Sequence, residues 1–197
     1  MSFEEEWIVL VPVKALALAK SRLVVDSDHR RQLALDFAAH TVSVASRVPH
    51  VKDTVVITDD DEVIRRLMAP GVSFLPEPVG RPGLNVCLER SATAVRKRQQ
   101  APLAILVADL PWLADAELAR ALVCAVSCDR AVVADAEGTG TTLLTAGRGL
   151  MPHPCFGRAS FRRHIARGHT PLMGQWPGLR RDVDVLDHLR AVEEWRP

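Results

Sequence analysis

No glycine occurs in WIVLVPVKALALAKSRL, Trp7 to Leu23, although the stretch opens like the buried first strand of a nucleotide-binding α/β domain. Such a strand usually runs into a glycine-rich turn through which a phosphate reaches the backbone. Neither GxGxxG nor GxxxxGK followed by Ser or Thr is present, which excludes a Rossmann fingerprint and a P-loop. No apolar run approaches the roughly 18 residues a membrane helix needs. The cysteines, Cys87, Cys124, Cys128 and Cys155, form no CxxC pair and read as free thiols of a reducing cytosol. Cys124 and Cys128 would share one helix face, but a metal there needs two further ligands that the sequence does not offer. The start, MSFEEEW, is acidic, so a signal peptide is not expected and the cytoplasm is. Net charge is only +1, which implies no general attraction to nucleic acid or membrane. Any anion site must be local.

What is present is a chain of 197 residues, 48% apolar and 25% charged. That suits one α/β domain spanning 1–197 and is short for two. Apolar runs alternate with segments of helical period, which predicts a mostly parallel sheet covered by helices on both faces. Strands are expected at WIVLVPV, TVVIT (54–58), VSFLP, LAILVAD (103–109), RAVVADA and TTLLTA. Helices are expected from about 29 to Arg47 with Ser27 or Asp28 as cap, over DDDEVIRRLMA, from Gly83 to Arg98, and over ADAELARALVCAV. Leu33, Phe37, Val44 and Val48 fall on the inner side of the first helix. A turn around Pro152 to Gly157 precedes a short basic helix, and RRDVDVLDHLRAVEEW reads as a strand end or loop followed by a last helix.

Six stretches carry chemistry. In ADLPWL, Asp109 closes a buried strand, where open parallel sheets bind ligands. Its carboxylate suits Mg²⁺; the alternative is a cap for the helix beginning near Ala114. In RRDVDVLDHL, Asp182 and Asp184 are two apart and point the same way if extended, beside Arg180 and Arg181, which suit an anion; here too Asp184 or Asp187 could merely cap a helix. EGTGTTLL (137–144) offers glycines for close approach and the hydroxyls of Thr139, Thr141 and Thr142, or is a plain hairpin turn. In CFGRASFRRH, Gly157 and Ser160 at an incipient helix supply amide and hydroxyl donors, with Arg162, Arg163 and His164 adding positive charge. PVGRPGLN ends on Gly83, Leu84 and Asn85, whose amide suits a base edge. Finally Lys14, Lys20 and Arg22 are either solvated loop charges or a strong local field for a polyphosphate.

In this order, VPVK…AKSRL, PGLN, ADLP, GTGTTLL, FGRASFRRH and RRDVDVLDHL resemble the guanylyltransferases that activate phosphoenolpyruvate or 2-phospho-L-lactate in biosynthesis of the deazaflavin coenzyme F-420. The likeness runs from about Trp7 to Trp195. It implies a nucleotidyltransferase fold of the glycosyltransferase-A type, GTP as donor, a small phospho-carboxylic acid as acceptor, and Mg²⁺. By resemblance Asp109 and Asp182, with Asp184 as fallback, are the metal carboxylates, and Thr142, Gly157 and Ser160 bind phosphoenolpyruvate. Lys14, Lys20 and Arg22 are the catalytic donor-phosphate cations, Gly83 to Asn85 the guanine-side loop, and related enzymes suggest a homodimer. Where the family has a loop like FGPGSF, this chain has FGRASF, which leaves acceptor choice open. The alternatives are a molybdopterin or sugar-phosphate nucleotidyltransferase of the same fold, against which the missing LAGG-type loop counts, or a non-catalytic nucleotide-binding module.

Overall fold

The computed structural model describes residues 6–13, 27–80 and 83–183. Lys14, Lys20, Arg22, Asp184 and the expected last helix lie outside the described residues. Within them the order is β1 (Trp7–Pro12), α1 (Ser27–Arg47), β2 (Val51–Ile57), α2 (Asp61–Leu67), β3 (Val72–Leu75), α3 (Leu84–Arg96), β4 (Leu103–Leu106) and α4 (Asp115–Ala125). There follow β5 (Arg130–Ala134), β6 (Thr141–Ala146), α5 (Ser160–Ala166), β7 (Thr170–Pro171) and α6 (Pro177–Arg180). One sheet takes the order β3-β2-β1-β4-β6-β5-β7. All neighbours are parallel except that β6 runs against both β4 and β5.

Apolar side chains on both sides of each strand explain why the sheet is buried on both faces. In β1, Trp7, Val9 and Val11 face a cluster shared with α1, α2 and α4, whereas Ile8 and Leu10 face one shared with α3. The same alternation recurs in β4, with Ala104 and Leu106 on the first face and Leu103 and Ile105 on the second. A strand of period two can do this only if every residue is apolar, which is what the runs contain.

Several boundaries differ from the sequence reading. Helix α1 already includes Ser27 and Asp28, so neither is its cap; Phe37, Val44 and Val48 are buried as expected. Strand β4 stops at Leu106, not Asp109, because its ladder with β1 ends at Ile105 and Pro111 has no N–H to continue one. Helix α4 begins at Asp115 and ends at Ala125, so Cys128 lies beyond it and shares no helix face with Cys124. The elements β7 and α6, of two and four residues, were not expected.

Candidate active site

The carboxyl ends of β1 and β4 meet where the sheet's strand order reverses, the usual ligand crevice of an open α/β sheet. Asp109 sits three residues past β4 in this crevice. Buried Thr41 of α1 brackets it: the Thr41 hydroxyl donates to the Ala108 carbonyl (3.2 Å) and accepts from Leu110 N–H (3.3 Å). His40 adds a contact to the Leu113 carbonyl at 2.9 Å. The turn ADLPWL is therefore fixed from α1, and Asp109 is not the cap of α4. That helix is capped from within, by Glu117 Oε2 accepting from Ala114 N–H (3.3 Å).

Asp182, 73 residues away in sequence, arrives beside it: Val183 N–H donates to the Asp109 carbonyl (3.1 Å). Both aspartates are half-buried. Two carboxylates from neighbouring segments make a hard-oxygen donor set that fits Mg²⁺, which commonly takes one or two carboxylates and completes its shell with phosphate oxygens and water. Among the described residues no group of three or more His, Cys, Asp or Glu gathers at a metal-binding distance. The expectation that Arg180 and Arg181 serve an anion gives way. Arg180 donates to the carbonyls of Ala134 (3.2 Å) and Asp135 (3.1 Å), pinning the end of β5, and the Arg181 guanidinium lies 4.1 Å over the Trp112 ring.

Because β6 is antiparallel, it begins at the edge where β4 ends, and Val107 N–H donates to the Thr142 carbonyl at 3.1 Å. Thr142 is thus next door to the Asp109 turn. Its hydroxyl is fully buried and is one of three buried side-chain oxygens, with Thr54 and Ser91, that lack a partner among the described residues. The preceding turn, 135–140, is a hairpin. Its Thr139 and Gly140 amides are taken by the Asp135 carboxylate (2.8 and 2.6 Å), not held for a phosphate. A Cβ on Gly140 would fall 2.3 Å from Asp135 Oδ2.

The loop 152–160 closes the same edge. Gly157 has φ of 118° and Ala159 one of 53°, the latter a left-handed alanine at a strain of about 1 kcal/mol. Ser160 is buried and turned inward: its N–H donates to the Gly157 carbonyl (3.0 Å) and its hydroxyl to Thr141 Oγ1 (3.0 Å). Beneath it lies His164, fully buried. Cys155 N–H can only donate, so His164 Nε2, 2.9 Å away, accepts and is bare; the ring proton then sits on Nδ1, 3.0 Å from Thr141 Oγ1. Burial, and then the neighbouring His169 and Arg163, push its pKa down to about 3. The expectation of positive charge at His164 is therefore corrected to a neutral ring; Arg162 and Arg163 are exposed. His169 packs edge-on against it at 5.3 Å, between the carbonyls of His164 (3.0 Å) and Pro152 (2.8 Å). Burial raises the thiols of Cys87 and Cys155 above the usual range, which keeps them protonated and unsuited to nucleophilic attack.

On the opposite wall, Gly83 is the backbone cap of α3 and Leu84 its first residue. Asn85 does not offer its amide to a base edge as expected. Its Oδ1 accepts from Phe156 N–H (2.6 Å) and its Nδ2 donates to the Phe156 carbonyl (3.0 Å). It joins the start of α3 to the loop that carries Gly157 and Ser160. No sequence signal revealed this pairing, since the partner is a backbone unit 71 residues away.

The sheet order, with β6 antiparallel and a crevice at the switch point, is that of an α/β protein of nucleotidyltransferase type. Consistent with this, the fold superposes on 4-diphosphocytidyl-2C-methyl-D-erythritol synthase of Anaerococcus prevotii, with TM-score 0.64 at 7% identity over 97% of this chain and 96% of that one. It also superposes on Rv0371C of Mycobacterium tuberculosis, solved with manganese, with TM-score 0.57 at 17% identity over 98% and 100%. Residues 7–173 match the family model described as guanylyl transferase CofC like. Phosphoenolpyruvate guanylyltransferase of Streptomyces coelicolor is 45% identical over 191 residues, 95% of this chain and 90% of that one. The chain belongs to the CofC-like guanylyltransferase family.

Proposed function

We infer that this chain transfers the guanylyl group of GTP to phosphoenolpyruvate, releasing pyrophosphate, on the route to coenzyme F-420. The observation that carries the reading is the 45% identity to a phosphoenolpyruvate guanylyltransferase across nearly the whole of both chains. The geometry supports it: Asp109, Asp182 and Thr142 come to one edge of the sheet, with the Gly157–Ser160 loop beside them.

In the reaction a phosphate oxygen of the acceptor attacks the α-phosphorus of GTP in line. The oxygen–phosphorus bond forms as the bond to the β-phosphate oxygen breaks, and pyrophosphate leaves with that electron pair. A phosphate monoester is largely dianionic at neutral pH, so no general base is needed. This agrees with a site whose buried histidine is neutral and engaged at both nitrogens. Thr142, Gly157 and Ser160 hold the acceptor, and Gly83, Leu84 and Asn85 flank the nucleotide side. Lys14, Lys20 and Arg22, which follow β1 in sequence, draw off the pyrophosphate charge. A divalent metal held by Asp109 and Asp182, with Asp184 as the alternative second ligand, neutralises phosphate charge when bound; the manganese of a related fold supports a metal of this kind. The rate then comes from positioning and electrostatic complementarity.

The test is pyrophosphate release from GTP, ATP or CTP with phosphoenolpyruvate, 2-phospho-L-lactate or 3-phosphoglycerate in Mg²⁺. Turnover is expected with GTP and phosphoenolpyruvate, and no release with any phospho-acid would overturn the reading. Asp109→Asn combined with Asp182→Asn is expected to abolish turnover; wild-type rates there would remove the metal assignment.

A further inference from the structure

We propose that Glu117 positions the carboxylate pair, by clamping the segment that carries Asp182 onto the turn that carries Asp109. This rests on the metal reading above. Glu117 is 8% exposed, and a buried carboxylate is tolerated only with its hydrogen bonds supplied. Here they come from backbone. Oε1 accepts from Gly178 N–H (3.1 Å), and Oε2 from Leu179 N–H (3.1 Å) and Ala114 N–H (3.3 Å). Capping α4 uses only the last of these. The other two cross to a chain segment 61 and 62 residues downstream, a reach that helix capping does not require.

The seat is cut to fit. A Cβ on Gly178 would lie 2.0 Å from the Trp112 carbonyl and 2.5 Å from Glu117 Oε2, so the backbone there must be bare to approach. Trp112 belongs to the Asp109 turn. The two segments therefore meet twice: at Gly178 against Trp112 and Glu117, and at Val183 N–H on the Asp109 carbonyl. Arg180, tied to the Ala134 and Asp135 carbonyls, holds the stretch between. Asp182 lies inside this three-point clamp. An aspartate at position 117 would be too short to span it, and a glutamine has one accepting oxygen where two are used.

Mn²⁺ binding to the full chain, read from the free-ion EPR signal with and without GTP, tests this independently of turnover. Glu117→Ala and Gly178→Ala are expected to weaken Mn²⁺ binding about tenfold or more, as loss of supporting contacts around a metal does, with Glu117→Gln intermediate. Their circular dichroism should match wild type at the temperature used. A residue that only capped α4 would lower the melting temperature and leave the Mn²⁺ affinity unmoved, so wild-type affinity in folded Glu117→Ala overturns the proposal. Should that variant not fold, wild-type affinity in both Glu117→Gln and Gly178→Ala overturns it. Asp109→Asn and Asp182→Asn serve as controls: unchanged affinity in both would remove the metal site itself, whereas loss there without loss at Glu117 removes only the clamp.

Discussion

Acidification should loosen the loop 152–160 through one side chain, His164. Its ring is neutral because Nε2 must accept the Cys155 amide proton; a proton there would set N–H against N–H in a buried site. The folded pKa of about 3 lies below the 6.5 of a free histidine, so the unfolded chain binds the proton more readily. This contribution to stability is present above about pH 6.5 and is lost as pH falls toward 3. The slope is about 1.4 kcal/mol per pH unit inside that window, which gives a loss of about 2 kcal/mol between pH 7 and pH 5. Burial also lowers the pKa of His169, which adds a loss of the same sign. Urea unfolding of wild type and His164→Gln at both pH values isolates the one group. The variant should be less stable at pH 7 by about 1–3 kcal/mol, for the hydrogen bonds to Cys155 and Thr141. Lacking the titration, it should then close most of that gap by pH 5. A gap of equal size at both values would refute the neutral, proton-refusing histidine.

Asn85→Leu removes both bonds to Phe156; urea unfolding should show a loss of about 1–3 kcal/mol, and steady-state kinetics a raised KM for the acceptor. Ala159→Gly relieves a left-handed alanine and should stabilise the fold by about 0.5–1 kcal/mol in the same measurement, with activity separately reporting whether the loop becomes too free. Buried Arg96 donates to the carbonyls of Ala101, Gly147 and Leu150. Arg96→Met leaves these unpaired and should cost about 3–5 kcal/mol in urea unfolding.

The strands were legible because burial on two faces leaves an unbroken apolar run such as IVLV or LAIL, and the helices because one apolar stripe recurs at helical spacing. Asp109 was legible as the carboxylate following such a run. What sequence could not supply was the destination of polar side chains. His164 stands in sequence beside Arg162 and Arg163, a cationic setting, yet its place under Thr141 depends on β6 and α5 meeting. Arg180 and Asn85 have side chains suited to ligands, yet they bond to backbone carbonyls and amides of distant segments. Backbone groups are identical at every position, so no residue pattern marks them as partners. At 137–144 the sequence leaves a phosphate loop and a plain hairpin open; the hairpin is what forms, with Asp135 as the anion its amides hold.

The reversed direction of β6 has a consequence for engineering. Its pairing with β5 already shifts between Val133 and Ala134, and the hairpin 135–140 sets where Thr141 and Thr142 enter the sheet. Side chains alternate with period two, so a one-residue slip would exchange the neighbours Thr142 and Leu143 between faces. Insertions or grafted loops at 135–140 would thus change which of these side chains faces the Asp109 turn without substituting any of them. Lengthening by a single residue should be the most disruptive edit, and by two the more readily absorbed.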